Sequence, residues 1–168
     1  MRKWLIGLAV VAGLAMGTTT DAASVHLKGG KNAVPATADN GLTLTGSGSL
    51  TGLGNGDVLV SITAQADVTA TCTNPAGQTQ PPGQNPAAIT VSGSVSIPAS
   101  EVKNGNVAFS VTTVAPDPII AGAPGCPNPQ WTERIEDLAF TSFVITVEQP
   151  PGTVVLVLSC TTNPISCT

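Results

Sequence analysis

The 168-residue chain contains no tyrosine, three phenylalanines, two tryptophans and one histidine. Charged residues make up only 10% of it. Each shortage removes a class of function. A lone histidine, His26, leaves little material for acid–base or nucleophilic catalysis by imidazole. No serine stands in a G-x-S-x-G elbow. The glycines between Gly46 and Gly56 alternate with Ser, Leu and Asn and precede a strand pattern rather than a helix, so they are not a phosphate-binding loop. There is no C-x-x-C pair, which argues against a thiolate metal site. The Asp39-Asn40-Gly41 and Asn55-Gly56-Asp57 pieces lack the ligand run of a calcium loop and read as turns. No metal and no cofactor is therefore expected. The net charge of −4, with no basic stripe, argues against a nucleic-acid partner.

What is present begins with MRKWLIGLAVVAGLAMGTTTDAAS. Arg2 and Lys3 precede an apolar run from Trp4 to Met16, and small residues follow. That is the layout of a secretory signal peptide, assigned to residues 1–23, with Gly17 as an earlier cleavage point. The run is short for a membrane anchor, which needs about 20 apolar residues. No later stretch could span a bilayer. The expected location is secreted or extracellular. Cleavage after Ala23 leaves four basic and nine acidic residues, a charge of about −5. All four cysteines, Cys72, Cys126, Cys160 and Cys167, lie beyond the leader, and an even count in an exported chain predicts two disulfides.

The rest reads as strands. From Val58 to Cys72 every even-numbered residue is apolar or small, and the odd-numbered ones are mostly polar. One face meets a core and the other meets water. The stretch would span about 50 Å, so a bulge or break is expected near Gln65 to Asp67. Ile89 to Ile97 alternates in the same way, and Val107, Phe109 and Val111 face inward on a return strand. Between Trp131 and Gln149 the phase changes, since Leu138 and Phe140 share one parity and Phe143, Ile145 and Val147 the other. A bulge around Thr141-Ser142 reconciles them. Pro151-Gly152 suits a type II turn, and Asn55-Gly56 a turn with positive φ. Thr153 to Cys160 is apolar at most positions and reads as a central strand covered on both faces. No segment has a helical period. The expected fold is all-β: an Ig-like antiparallel β-sandwich of roughly seven strands, disulfide-stabilised, over residues 41–168, with 24–40 a flexible arm.

Two proline-rich loops, Thr73 to Ala88 and Ala115 to Gln130, fall at one end of such a sandwich if successive strands run up and down. Cys72, Cys126 and Cys160 then share that end, and position alone does not settle the pairing. Cys72–Cys126 with Cys160–Cys167 is favoured; Cys126–Cys160 with Cys72–Cys167 is the alternative. Trp131 is the one residue that could be a binding platform, beside the amides of Gln130, Asn128, Gln78, Gln80, Gln84 and Asn85 on the two loops, of which Gln78, Gln80 and Asn128 are the chosen contacts; its other reading is a cap on the core. Ile119 and Ile120 sit near a loop tip, where aliphatics serve a partner better than a core. Glu133, Glu136 and Asp137 could in principle form a carboxylate pair for glycoside hydrolysis. The expectation is a solvated strand face with Arg134 as counter-charge.

The pieces GLGNGDVLV, CTNPAG, PPGQNP, GCPNPQW and DLAFTSFVITV together resemble a set of uncharacterised secreted bacterial β-sandwich proteins, over residues 42 to 160. The resemblance implies export and an Ig-like fold and brings no activity. The Thr/Ala/Val/Gly composition is also similar to that of secreted apoproteins that carry enediyne chromophores, although only a Cys160–Cys167 loop matches their short local disulfides, and their ligand is not transferred. The expected function is that of a secreted non-enzymatic structural or interaction protein, with an unidentified protein or glycan partner. The alternative is a small-ligand or carbohydrate-binding module that uses the loop end near Trp131.

Overall fold

The computed structural model describes residues 24–30 and 32–168. The leader expected at 1–23 lies outside them. The described residues are all-β and antiparallel, with eleven strands: β1 (His26–Leu27), β2 (Ala36–Asp39), β3 (Leu44–Thr51), β4 (Val58–Thr73), β5 (Thr79–Gln80), β6 (Ile89–Ile97), β7 (Val107–Thr112), β8 (Ile119–Ile120), β9 (Thr132–Glu148), β10 (Val154–Thr162) and β11 (Ile165–Cys167). Seven of them have four or more residues, which is the number expected. The other four are short edge pieces.

The frame is the pair β4 and β9, which run side by side from Leu59↔Glu148 to Thr73↔Thr132. Every even-numbered residue of β4 is buried, from Val58 to Cys72. The expected break in β4 does not occur. The irregularity lies on its partner, where Thr141 and Glu136 are extra residues opposite Gln65/Ala66 and Thr69/Ala70. Two bulges on β9 let one strand bend while β4 keeps its phase over its full length. The bulge at Thr141 is the one the parity change implies.

β4 and β9 are the centre of one sheet, here sheet B, which is completed by β6 and β5 along the free side of β4 and by β10 and β8 along the free side of β9. Sheet A consists of β3 between β7 on one side and β1 and β2 on the other. The two sheets face each other across Leu44, Leu50, Val58, Val60, Ile62, Val111, Phe143, Ile145 and Val147, all in one buried cluster. They approach closely at Gly46, where a Cβ would lie 3.1 Å from Ile145 Cδ1 and 3.3 Å from Ile62 Cδ1. The described residues between 24 and 40 are not a loose arm. They form the two edge strands β1 and β2, with Val25, Leu27 and Pro35 buried. Too few apolar residues alternate there for the pattern to show in sequence.

Beside β9, β10 covers only the stretch from Ser142 to Glu148. Among the described residues its outer side is paired only from Ser159 onward, by β11 and Thr168. It is therefore an edge strand and not a central one, with Val154 and Val157 about half exposed. Its end also falls short of the loop end. Cys160 stands opposite Phe143, which stands opposite Ala64, eight residues before Cys72 on β4. Cys160 therefore bonds to Cys167 half-way along the molecule, while Cys72 bonds to Cys126 at the loop end. The favoured pairing holds, but three cysteines do not share one region. The turn from Pro150 to Thr153 has Gly152 at φ 95° and a Thr153 N–H to Pro150 O bond of 2.9 Å, as the type II reading requires. In the 52–57 turn the positive φ falls on Gly52, not on Asn55-Gly56. No helix among the described residues is long and apolar enough to cross a membrane.

Candidate functional site at the loop end

Sheet A stops before the top of sheet B. Gly41 O still accepts from Leu138 N–H at 3.2 Å, and Leu138 stands opposite Val68. Beyond Val68 the inward face of β4 and β9 is roofed by the two proline-rich loops, which fold back instead of projecting. Ala70, Cys72 and Glu133 are buried under them, as is Ala123 on the inner side of the second loop. The Cys72–Cys126 disulfide fixes the roof to β4. Gly83 N–H donates to Gly125 O at 2.8 Å, joining one loop to the other. Ile135 N–H donates to Pro118 O at 2.8 Å, joining the second loop to β9. Nine prolines hold the loops stiff between these points.

A row of four residues crosses sheet B here: Gln80 on β5, Cys72 on β4, Glu133 on β9 and Ile120 on β8. Residues paired in one row share a face, and this face is the inward one. Gln80 is exposed and Ile120 half-buried against the core. Three strand spacings, about 14 Å, separate them. Ile119 is on the opposite face from Ile120 and is 45% exposed. Trp131 is half-buried and lies outside the buried core cluster. Its N–H donates to Asn128 O at 3.2 Å, and Asn128 Oδ1 accepts from Gln130 N–H at 3.0 Å. Gln78 is held by Asn74: its N–H donates to Asn74 Oδ1 at 2.8 Å, and its Oε1 accepts from Asn74 Nδ2 at 2.9 Å. The amide oxygens of Gln78 and Asn128 thus serve their own turns. Trp131, Ile119, Ile120, Gln78, Gln80 and Asn128 all lie at one end of the molecule, but they surround it and do not converge on one cavity.

A cavity at this end is lined by Gln84, Asn85 and Pro86 on the first loop, Pro124 and Gly125 on the second, and Glu133 on β9, but not by Trp131. Its volume is about 240 Å³. Glu133 is not part of a solvated face. It is 1% exposed and points inward, whereas Glu136 lies on the outer face and accepts from Thr71 Oγ1 at 2.8 Å, with Arg134 Nε at 3.9 Å. The bulge at Glu136 hides this in sequence, because it puts Glu133 and Ile135 in one phase and Leu138 in the other. A glutamate in an inward slot also reads as surface when only residue type is known. Since Glu133 and Glu136 are on opposite faces, they cannot flank one scissile bond. His26, at the start of sheet A, pairs with Thr51 near the opposite end, about 50 Å away along β4. Its Nδ1 is 2.7 Å from Ser24 O. Among the described residues no three His, Cys, Asp or Glu side chains cluster as a metal-ligand group. Comparison with protein families, with curated proteins and with solved structures finds no match for this chain.

Proposed function

We propose that this chain is an exported, non-enzymatic interaction protein of the cell surface or medium, and that its partner is met at the loop end. The observation that carries the reading is the construction of that end. A disulfide, a hydrogen bond between the loops and another from β9 fix two proline-stiffened loops to the sheet, with Ile119 exposed on the second. A surface ordered before contact loses little entropy on binding, and long loops in a compact domain are usually functional when they are ordered. Export is supported by the leader-like first residues and by two disulfides, which persist in oxidising compartments. A non-enzymatic role is supported by the separation of His26 from the acidic groups and by the opposed faces of Glu133 and Glu136.

The alternative, a carbohydrate-binding module, is favoured by one feature: Trp131 stays half-buried outside the core, next to Gln130 and Asn128 on the same turn. One experiment addresses both readings. Residues 24–168 are immobilised as wild type, Ile119→Ser and Trp131→Ala, then offered envelope extract from the source cells and a glycan array. A protein held by wild type and lost by Ile119→Ser at unchanged Tm supports the interaction reading. A glycan lost only by Trp131→Ala supports the alternative. Hydrolysis of an arrayed glycan, or equal retention of every partner by all three chains, defeats the assignment.

A further inference from the structure

Glu133 is buried with half of its carboxylate unpaired. Oε2 accepts from Gly125 N–H at 3.0 Å. Oε1 is buried and no donor reaches it. Burying an unpaired carboxylate oxygen is costly, and native proteins compensate with a partner. The one nearby cationic residue in sequence, Arg134, points to the outer face and faces Glu136. On the Gly125 side it shares its surroundings with a main-chain oxygen. The position that a Cβ on Gly125 would occupy is 2.5 Å from Glu133 Oε1 and 2.9 Å from the main-chain oxygen of Gln84. A side chain at residue 125 would strike both oxygens and Pro82 Cβ, 3.0 Å away, so only glycine leaves the two oxygens uncovered on this side. Glu133 and Gln84 both line the cavity of about 240 Å³, together with Asn85. It has room for an ion and several waters at about 30 Å³ each.

From this geometry we propose that the roof of the loop end is a binding site for a hard divalent cation, calcium, with Glu133 Oε1 as its anionic ligand and Gln84 O as a neutral one. The donor chemistry selects the metal. Carboxylate, carbonyl and carboxamide oxygens suit calcium, whereas zinc and copper prefer nitrogen and sulfur. All four cysteines are in disulfides and the one histidine is at the other end. A single carboxylate makes a weak site, of the order of 0.1–1 mM as in extracellular modules. The ion would tie β9 to the first loop, as the Cys72–Cys126 bond ties β4 to the second. No sequence motif announces such a site, because its ligands are one glutamate and main-chain oxygens from a segment about 50 residues earlier.

The test is thermal denaturation of residues 24–168 in metal-stripped buffer, with CaCl2 raised to 10 mM at constant ionic strength. The expected result is a rise in Tm of about 5 °C at 10 mM that follows the logarithm of the calcium concentration above the Kd. Glu133→Gln is the matched variant. Its amide oxygen can still accept from Gly125 N–H, and its NH2 can donate where the ion would bind, so it should fold and its Tm should not respond to calcium. Terbium emission sensitised by Trp131, two residues from Glu133, gives a second readout: calcium should displace the terbium, and Glu133→Gln should give no emission. A wild-type Tm indifferent to 10 mM CaCl2 would overturn the proposal. So would an equal rise in Glu133→Gln, which would mark a general salt effect.

Discussion

Replacing Gly93 by alanine should unfasten a corner of the sandwich. Gly93 lies in β6, opposite Ile62. The chain leaving β7 crosses directly over it on the way from sheet A to the second loop. Val114 N–H donates to Ser92 O at 2.8 Å, Thr113 N–H donates to Leu44 O at 3.0 Å, and Leu44 N–H donates to the buried Thr113 Oγ1 at 3.0 Å. A Cβ on residue 93 would press on Thr112 O. It would also come within 2.9 Å of the Thr112 carbonyl carbon and 3.0 Å of Thr113 Cα. Carbon atoms prefer about 3.5–4.0 Å, so the β7 exit must move by at least about 0.5–1 Å. Overpacking of this kind costs about 1–3 kcal/mol. Stretching the three hydrogen bonds adds about 1 kcal/mol. Alanine returns about 0.5–1 kcal/mol through the unfolded chain. The net loss is about 2–3 kcal/mol, a fall in Tm of about 6–12 °C for a domain of this size. Gly54→Ala is the control. Its Cβ would lie 3.5 Å from Gln149 Oε1, an ordinary contact, and its effect should stay within about 0.5 kcal/mol. The measurement is calorimetry of both variants beside wild type. A Gly93→Ala protein that melts within 2 °C of wild type, by the ~1 kcal/mol scale of that shift, would refute the close crossing.

Two further outcomes follow from the same geometry. Cys72–Cys126 closes 54 residues and Cys160–Cys167 closes 7, so the chain-entropy relation gives losses of about 4 and about 2.4 kcal/mol when each pair becomes alanine; urea denaturation of the two double variants should rank them in that order, and the reverse order would contradict it. Ile120→Ser should cost about 1–2 kcal/mol of stability, because Ile120 packs on the core, whereas Ile119→Ser should cost under about 0.5 kcal/mol; equal shifts in Tm would show that β8 does not divide the two residues between faces.

The sequence made β4 legible because Val58 to Cys72 holds one phase without exception, and a two-residue period has only one structural cause. The bulge at Thr141 was legible for the same reason, since strong apolar markers stand on both sides of it. The second bulge was not, because one of its markers is Glu133, a charged residue in a buried slot. β10 misled in the opposite way. Val154 to Leu158 is apolar at both parities, which resembles a strand covered on both faces, yet the chain places it at an edge and leaves valines in the open. Composition cannot separate these cases, because they differ in what lies beside the strand and not in the strand. The height of Cys160 was lost with it, since it depends on β10 being about half as long as β9. At the candidate site, the proline content showed that the loops are stiff. It did not show their direction. That they fold inward depends on pairings such as Gly83 with Gly125 and Pro118 with Ile135, which join residues 42 and 17 positions apart.

The unequal strand lengths divide the molecule into two zones that can change separately. Over the first half of β4 the inward face packs against a second sheet, and any change in volume there disturbs many neighbours. Over the second half it meets only the cross-linked roof, whose turns at Gly77 and Gly122 have open space around them. Zones this far apart share few contacts, so substitutions in one should add to those in the other. Insertions at the two glycine turns would alter what the loop end presents without asking the sandwich to repack. The protein is in that sense a handle with an exchangeable head, and the head can diversify while the fold that carries it stays fixed.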